Sequence, residues 1–269
     1  MAFNLFQKDN IPYLLAPNLM GHSKMLHAFT MRAGGNSRGG YDSLNLALHV
    51  DDDNQDVIKN RIKVAKLFGV DIEDSVAVRQ THGITVQKVT LQDKGQGARQ
   101  YDDTVLEGDA LVTDQPGILL WCFFADCVPV LFYDPVRQVI ASTHAGWRGT
   151  QARIAKETAM VMIRDYGCRP ENILSAIGPS LGPCCFEVEK DVANLFIDSN
   201  FQDAVTSQEE KYKIDLWQAN RQAIMEMGIP SENISSSQLC TSCLSSMFFS
   251  FRVDNGVTGR FTAAIMLKP

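Results

Sequence analysis

Apolar residues in this chain fall mostly into short uninterrupted or alternating runs, and only a few stretches carry helical spacing. His27–Arg32, Ser75–Gln80, Gly83–Val89 and Asp109–Thr113 have strand character. Ile118–Ala125 and Val128–Tyr133 are continuous apolar runs, as expected of strands buried on both faces. Gln138–Thr143, Ile173–Ile177, Phe248–Val253 and Arg260–Met266 complete the expected strands. Helical spacing appears at Val57, Ile58, Ile62, Ala65, Leu67 and Phe68, after N-cap candidates in Asp51–Asn54 and before a closing Gly69. A longer helix is predicted over Gly149–Tyr166, where Ile154, Ala155, Ala159, Met162 and Ile163 share a face. Lys190–Ile197 and Leu216–Met227 are also predicted helical. Met1–Pro17 reads as an N-terminal arm, Ala33–Gly40 as a glycine-rich loop, Lys94–Glu107 as a surface loop and Gly178–Pro183 as a rigid turn. Strands outnumber helices without strict alternation, which predicts an α+β fold with mixed sheets. No repeat, linker or shift of composition divides the order, so residues 1–269 are expected to form a single domain.

Composition narrows the partners. Charged residues make up 21% and the net charge is −6, so the basic patch needed for nucleic-acid binding is not expected. Seven cysteines in a chain of this length do not suit a disulfide framework. The N-terminus has no signal-peptide pattern, and the longest apolar run is too short to span a bilayer. The expectation is a cytoplasmic protein with reduced thiols and no membrane partner.

Candidate chemistry gathers at strand ends. Only five histidines exist. His82 follows one predicted strand and His144 another, and Cys127 lies between two apolar strands, in Ala125-Asp-Cys-Val-Pro129. Imidazole and thiolate are the donors zinc prefers, and three protein ligands leave a fourth position open, the catalytic arrangement. Such a site lowers the pKa of water toward neutrality. The plainer alternative is a small buried cysteine and two unrelated histidines, because the spacings match no local zinc pattern. Cys240-Thr-Ser-Cys243 is a rival metal or redox pair without a second Cys-x-x-Cys, and Cys184-Cys185 are either site-lining or simply buried. Asp109 and Asp126 sit beside apolar strands, where burial would tune them for proton transfer. Strand alternation would turn Asp126 away from Cys127 unless the chain bends there. Arg148 precedes the expected start of the long helix, a place suited to an anion.

Arg79-Gln-Thr-His-Gly83, Gly108-Asp-Ala-Leu-Val-Thr113, Ala125-Asp-Cys-Val-Pro-Val130, His144-Ala-Gly-Trp-Arg-Gly-Thr150 and Ile177-Gly-Pro-Ser-Leu-Gly-Pro-Cys-Cys185 occur in that order. With Ser43–Leu46, Asn60-Arg61, Asp215-Leu216, Cys240-Thr241, Ser250-Phe-Arg252 and Thr258-Gly-Arg260, they resemble the YfiH-type laccase-domain family over nearly the whole chain. The resemblance implies a four-layer α/β/β/α sandwich, similar to the catalytic domain of deamidating bacterial toxins. It implies metal ligands at His82, Cys127 and His144, with zinc as the cofactor and copper possible. It implies phosphorolysis of adenosine, inosine and methylthioadenosine, and deamination of adenosine. Members have also been described as copper-dependent polyphenol oxidoreductases and as cysteine hydrolases, which would use Cys127 as nucleophile. For nucleoside chemistry, Asp109 or Asp126 would carry the proton. Arg61 or Arg148 would hold phosphate, and Asn45 and Gln80 would bond the purine or ribose.

Overall fold

The computed structural model describes residues 2–102, 106–208 and 211–269. The predicted surface loop Lys94–Glu107 therefore lies partly outside the described residues. The first strands are β1 (Asn4–Lys8), β2 (Ile11–Leu15) and β3 (Met25–Thr30), followed by α1 (Asn54–Phe68). Next come β4 (Ser75–Val76), β5 (Val86–Lys88), β6 (Ala110–Thr113), β7 (Leu119–Phe124), β8 (Val128–Asp134) and β9 (Val139–Ala145). Helices α2 (Trp147–Gln151) and α3 (Ile154–Tyr166) precede β10 (Leu174–Ile177), β11 (Glu187–Val188) and α4 (Lys190–Asp198). The chain ends with β12 (Val205–Gln208), β13 (Lys211–Ile214), α5 (Leu216–Met225), β14 (Ile234–Ser236) and β15 (Phe261–Leu267).

Two six-stranded sheets, ordered β1-β2-β3-β15-β7-β4 and β14-β10-β8-β9-β6-β5, each mix parallel and antiparallel pairs. Strand alternation stacks them into four layers. On β7, Leu119, Trp121 and Phe123 pack with Val64, Ala65 and Phe68 of α1. Leu120, Cys122 and Phe124 turn inward to meet Leu131, Tyr133 and Ile140 of the second sheet. The other face of that sheet, with Val130, Phe132 and Ala141, packs on Ile154, Ala155 and Ala159 of α3 and on Ala219 and Ala223 of α5. The order helix, sheet, sheet, helix follows from side chains that point to opposite faces at successive positions. Helix α1 starts where the Asp53 carboxylate accepts the N–H groups of Gln55 and Asp56, and it stops at Gly69, whose φ of 75° a side chain would resist.

Several expected elements differ from those observed. The predicted helix over Gly149–Tyr166 begins earlier, at Trp147, and breaks in two at Arg153, whose φ is 70°. The Arg153 guanidinium is drawn to Glu226 and to the carbonyl of Ser199, which holds the break. The expected strand over Phe248–Val253 is a run of turns. Phe248 and Phe249 are buried, but the backbone N–H of Arg252 bonds the Asp126 carboxylate and Asp254 N–H bonds the Ser250 carbonyl, so no ladder forms. Ser75–Gln80 and Gly83–Val89 keep only the short strands β4 and β5, because the chain between them leaves the first sheet for the second. The N-terminal arm forms the hairpin β1–β2. No helix among the described residues is long and apolar enough to cross a membrane.

Candidate metal centre

Asp109 is the hub of the site. It precedes β6, and the register that pairs Ala110 with Thr143 sets Asp109 opposite His144 on β9. The His144 N–H donates to the Asp109 carbonyl at 2.7 Å, and one carboxylate oxygen lies 2.8 Å from His144 Nδ1. The same carboxylate accepts the Thr81 hydroxyl at 2.9 Å and the N–H groups of His82 and Gly83 at 3.0 and 2.7 Å. One buried acid thus fixes the His144 ring and the backbone turn that carries His82. Asp109 is fully buried. Burial alone would raise its pKa, but His144, the Gly83 N–H and the Thr81 hydroxyl outweigh that and hold it below the usual carboxylate range.

The β8–β9 register sets Pro129 opposite His144, which brings Cys127, just ahead of β8, to the same place. His82, Cys127 and His144 each point one donor atom into a space where all lie within 4.8 Å of one another. The two imidazole rings meet edge to face, with centroids 4.9 Å apart. Because Asp109 occupies Nδ1 of His144, Nε2 is its free nitrogen. Burial pushes the Cys127 thiol up, yet His144 and His82 outweigh it and bring the thiol down to about 6. Burial likewise opposes charge on His144, but the Cys127 thiolate and Asp109 raise it above the ordinary histidine value. Without metal, the pair is a thiolate beside an imidazolium. A metal ion would take the place of the shared proton, and soft sulfur with two imidazoles suits zinc and also admits copper. Gly146 leaves room for such an ion. A methyl group on its Cα would sit 3.1 Å from His82 Cδ2 and 3.3 Å from the Cys127 sulfur.

This trio lines a cavity of about 490 Å³. Phe123, Trp147, Phe186, Phe251 and Tyr101 form its aromatic walls, and Arg148, Arg252, Arg260 and His49 add polar groups. Asp126 faces the cavity beside Cys127. The bend that strand alternation required is real: Asp126 has φ 83°, and His82 has φ 61°. Left-handed backbone at residues other than glycine costs on the order of 1–3 kcal/mol each and collects at functional sites. The Thr241 hydroxyl at 2.6 Å and the Arg252 N–H at 2.7 Å hold the Asp126 carboxylate in that pose.

Not every expected site residue reaches the cavity. Arg61 is buried elsewhere, donating to the carbonyls of Leu46, Gly97 and Ala98 and lying over the rings of Trp121 and Phe123. Its charge is consumed in joining α1 to the 97–98 loop, so it is corrected from a phosphate ligand to a packing residue. Asn45 is also buried; its amide bonds Asp52 and Ala47 and accepts the Arg260 N–H, so it supports a cavity residue without facing the cavity. Gln80 lines the cavity, but both ends of its amide bond the backbone of Phe123 at 2.9 Å and extend the edge of β7. Asp109 lies behind His144 with its oxygens occupied by Thr81, His82, Gly83 and His144, which makes it a positioning residue and leaves Asp126 as the carboxylate at the cavity. Arg148 does line the cavity, stacked on Trp147 at 4.1 Å. The anion site expected at the helix start goes, because α2 is a single short turn beginning at Trp147. His49, Arg252, Arg260 and the aromatic walls were missed as site residues. The motifs Ser250-Phe-Arg252 and Thr258-Gly-Arg260 held the signal for part of that wall.

A four-layer mixed-sheet sandwich with a His, Cys, His donor set lining an aromatic cavity defines the class of protein. A family model described as multi-copper polyphenol oxidoreductase laccase matches residues 26–268. A purine nucleoside phosphorylase, YlmD of Bacillus subtilis (strain 168), is 38% identical over 251 residues, 92% of this chain and 90% of the relative. An adenosine deaminase from an unknown prokaryotic organism is 39% identical over 246 residues, 89% of this chain and 92% of the relative. The crystal structure of the hypothetical protein YfiH from Bacillus licheniformis superposes with a TM-score of 0.93 at 39% identity, covering 99% of both chains. The chain is therefore an enzyme of this laccase-domain family, of the YfiH type.

Proposed function

We propose that the enzyme acts on purine nucleosides, by phosphorolysis of adenosine, inosine and methylthioadenosine and by deamination of adenosine, with a zinc ion held by His82, Cys127 and His144. The observation that carries this reading is the convergence of those donors on the lining of an aromatic, arginine-flanked cavity of nucleoside size. The names of the relatives, a phosphorylase and a deaminase, point the same way. When bound, zinc supplies a Lewis acid able to make water a nucleophile near neutral pH.

The chain's own residues do the rest. Asp109 holds the Nδ1 proton of His144 and so presents Nε2 as the donor. Phe123, Phe251 and Tyr101 offer faces for a purine ring and exclude water from it. Among the described residues, the Arg148 side chain makes no ion pair or hydrogen bond, so its charge is available to phosphate; Arg260 also lines the cavity but spends part of its guanidinium on the carbonyls of Thr258 and Gly259. Asp126 moves the proton to the leaving amine in deamination, steadied by Thr241 and Arg252.

A second reading rests on the Cys127–His144 pair, which is also the arrangement of a cysteine hydrolase. Copper oxidation of phenols is less well supported, because the cluster supplies donors for one ion and a multicopper centre needs many more histidines. Purified enzyme, assayed for metal content and for products from adenosine with and without phosphate, separates the three. Adenine and ribose phosphate that require both zinc and phosphate support phosphorolysis, and inosine supports deamination. Loss of both activities in His82→Ala and His144→Ala supports the shared site. Activity that rises on chelation assigns Cys127 as a nucleophile, and turnover only with copper assigns the oxidase.

A further inference from the structure

The Cys240-Thr-Ser-Cys243 pair, which in sequence lacks a partner pair, has one in space. Cys184 and Cys185 lie in the turn after Gly182-Pro183, and that turn folds onto the turn after β14. The four sulfurs all lie within 4.8 Å of one another. Cys243 Sγ is 3.6 Å from Cys184 Sγ and 3.5 Å from Cys185 Sγ. All four cysteines are free. We infer that Cys184, Cys185, Cys240 and Cys243 form a second metal site, a mononuclear tetrathiolate centre for zinc, separate from the His82, Cys127 and His144 set.

The dimensions select the type of site. A zinc ion bound tetrahedrally to sulfur at about 2.3 Å sets its sulfurs about 3.8 Å apart. The observed spacings lie close to that value, so one ion at the centre of the four sulfurs can bind them all. An iron–sulfur cluster has its own iron and sulfide atoms between the cysteines and needs a wider ring of thiolates. Bringing four thiols this close without a cation leaves them to share protons in poor hydrogen bonds. A divalent ion replaces those protons and binds all four as thiolates. The backbone is already set for the thiolate form. Cys240 Sγ accepts the Gly182 N–H at 3.3 Å. Both turns are built locally: Gly182 O accepts the N–H groups of Cys185 and Phe186 at 2.9 Å, and Ser180 bridges Cys240. A Cβ at Gly182 would strike Trp217, so the first turn is pinned against α5 before any ion binds.

The site joins the 181–186 segment, which lines the cavity, to the turn that holds the cavity residue Asp126. Leu181 and Phe186, on either side of Cys184-Cys185, line that cavity. Thr241, inside the Cys-x-x-Cys turn, donates to Asp126, as does the backbone of Arg252, whose guanidinium reaches the Cys185 carbonyl. With all four coordination positions taken by protein thiolates, the centre is structural. It locks the 181–186 and 240–243 turns together, whatever reaction the cavity performs.

The test counts metal and reads its ligands. Full-length protein refolded or purified with zinc should carry two zinc ions per chain, one for each donor set. Cys184→Ser/Cys243→Ser should lose one of them, and His82→Ala/His144→Ala should lose the other. Cobalt in the histidine variant should show the intense visible and sulfur-to-metal charge-transfer bands of a four-thiolate site, whereas the cysteine variant should keep only the weaker charge transfer of the single Cys127 thiolate. To keep the test independent of how the cysteine variant folds, the wild type is also alkylated with iodoacetamide before and after chelation. Zinc should protect Cys184, Cys185, Cys240 and Cys243, and chelation should expose them. A wild type holding one zinc, with those four thiols labelled equally in its presence and absence, overturns the proposal. So does a metal-free protein whose mass shows a disulfide among them.

Discussion

Replacing Asp109 with Asn changes one atom and should cost the enzyme both metal affinity and stability. The carboxylate has donors on both oxygens: the His82 N–H and His144 Nδ1 on one, and the Thr81 hydroxyl with the Gly83 N–H on the other. An amide must turn its NH₂ toward one of these sides. If it faces Gly83, it strands a buried backbone donor, at about 1–3 kcal/mol. If it faces His144, it donates to Nδ1 and moves the ring proton to Nε2, the atom that should bind the metal, while opposing the His82 N–H. Loss of a supporting residue of this kind weakens metal binding by about 10–100-fold, which is about 1.4–2.7 kcal/mol. Zinc affinity measured by competition with a chromogenic chelator, beside urea unfolding of the metal-free protein, tests both parts. Stability that falls by about 1–3 kcal/mol with zinc affinity within twofold of the wild type would show that Asp109 is only a stitch between strands, and the tautomer reasoning would be wrong.

Gly146→Ala places a methyl 3.1 Å from His82 and 3.3 Å from the Cys127 sulfur, so zinc affinity should drop by on the order of tenfold with little change in unfolding midpoint. Arg61→Lys should destabilise the fold by about 1–3 kcal/mol for each carbonyl left without a donor, while KM for nucleoside and phosphate stays at the wild-type value; a large rise in KM would restore Arg61 to the substrate site. In metal-free protein, alkylation of Cys127 should rise with pH about a midpoint near 6, and His144→Ala should move that midpoint upward, as mass spectrometry of the labelled peptide will show. His27 is held neutral by burial and by His22, at about 3, with its Nε2 accepting the Ala16 N–H. Its folded pKa lies below its unfolded value of about 6.5, so the unfolded state binds the extra proton between those limits. Stability is full above that range and falls as pH drops through it, by at most about 1.4 kcal/mol per pH unit; His27→Gln should flatten the slope in urea titrations between pH 4 and about 6.5.

Much of this molecule was legible in its residues, because short-range patterns carry it. The apolar runs at Ile118–Ala125 and Val128–Tyr133 became β7 and β8, and the Asp53 to Gly69 caps bounded α1 as their chemistry requires. The His82, Cys127 and His144 residues could be named from ordered motifs, and the structure brings them together. What local pattern could not decide was where each side chain spends its bonds. Arg61 and Asn45 carry the polar groups a substrate site wants, yet backbone carbonyls and Arg260 take them first. Gln80 and Asp109 stand near the cavity and are committed to Phe123 and to the His82 turn. Phe248–Val253 has strand composition, but its backbone bonds the Asp126 carboxylate and closes its own turn, so it wraps Asp126 instead of joining a sheet. The two cysteine pairs are more than fifty residues apart, and their meeting depends on the loops after β10 and β14 being set side by side by the sheet. Sequence determines which groups can bond or be buried, through local periodicity and donor chemistry. Only the register and packing of the two sheets decide which of those groups meet, because a side chain's partners come from strands that are distant along the chain.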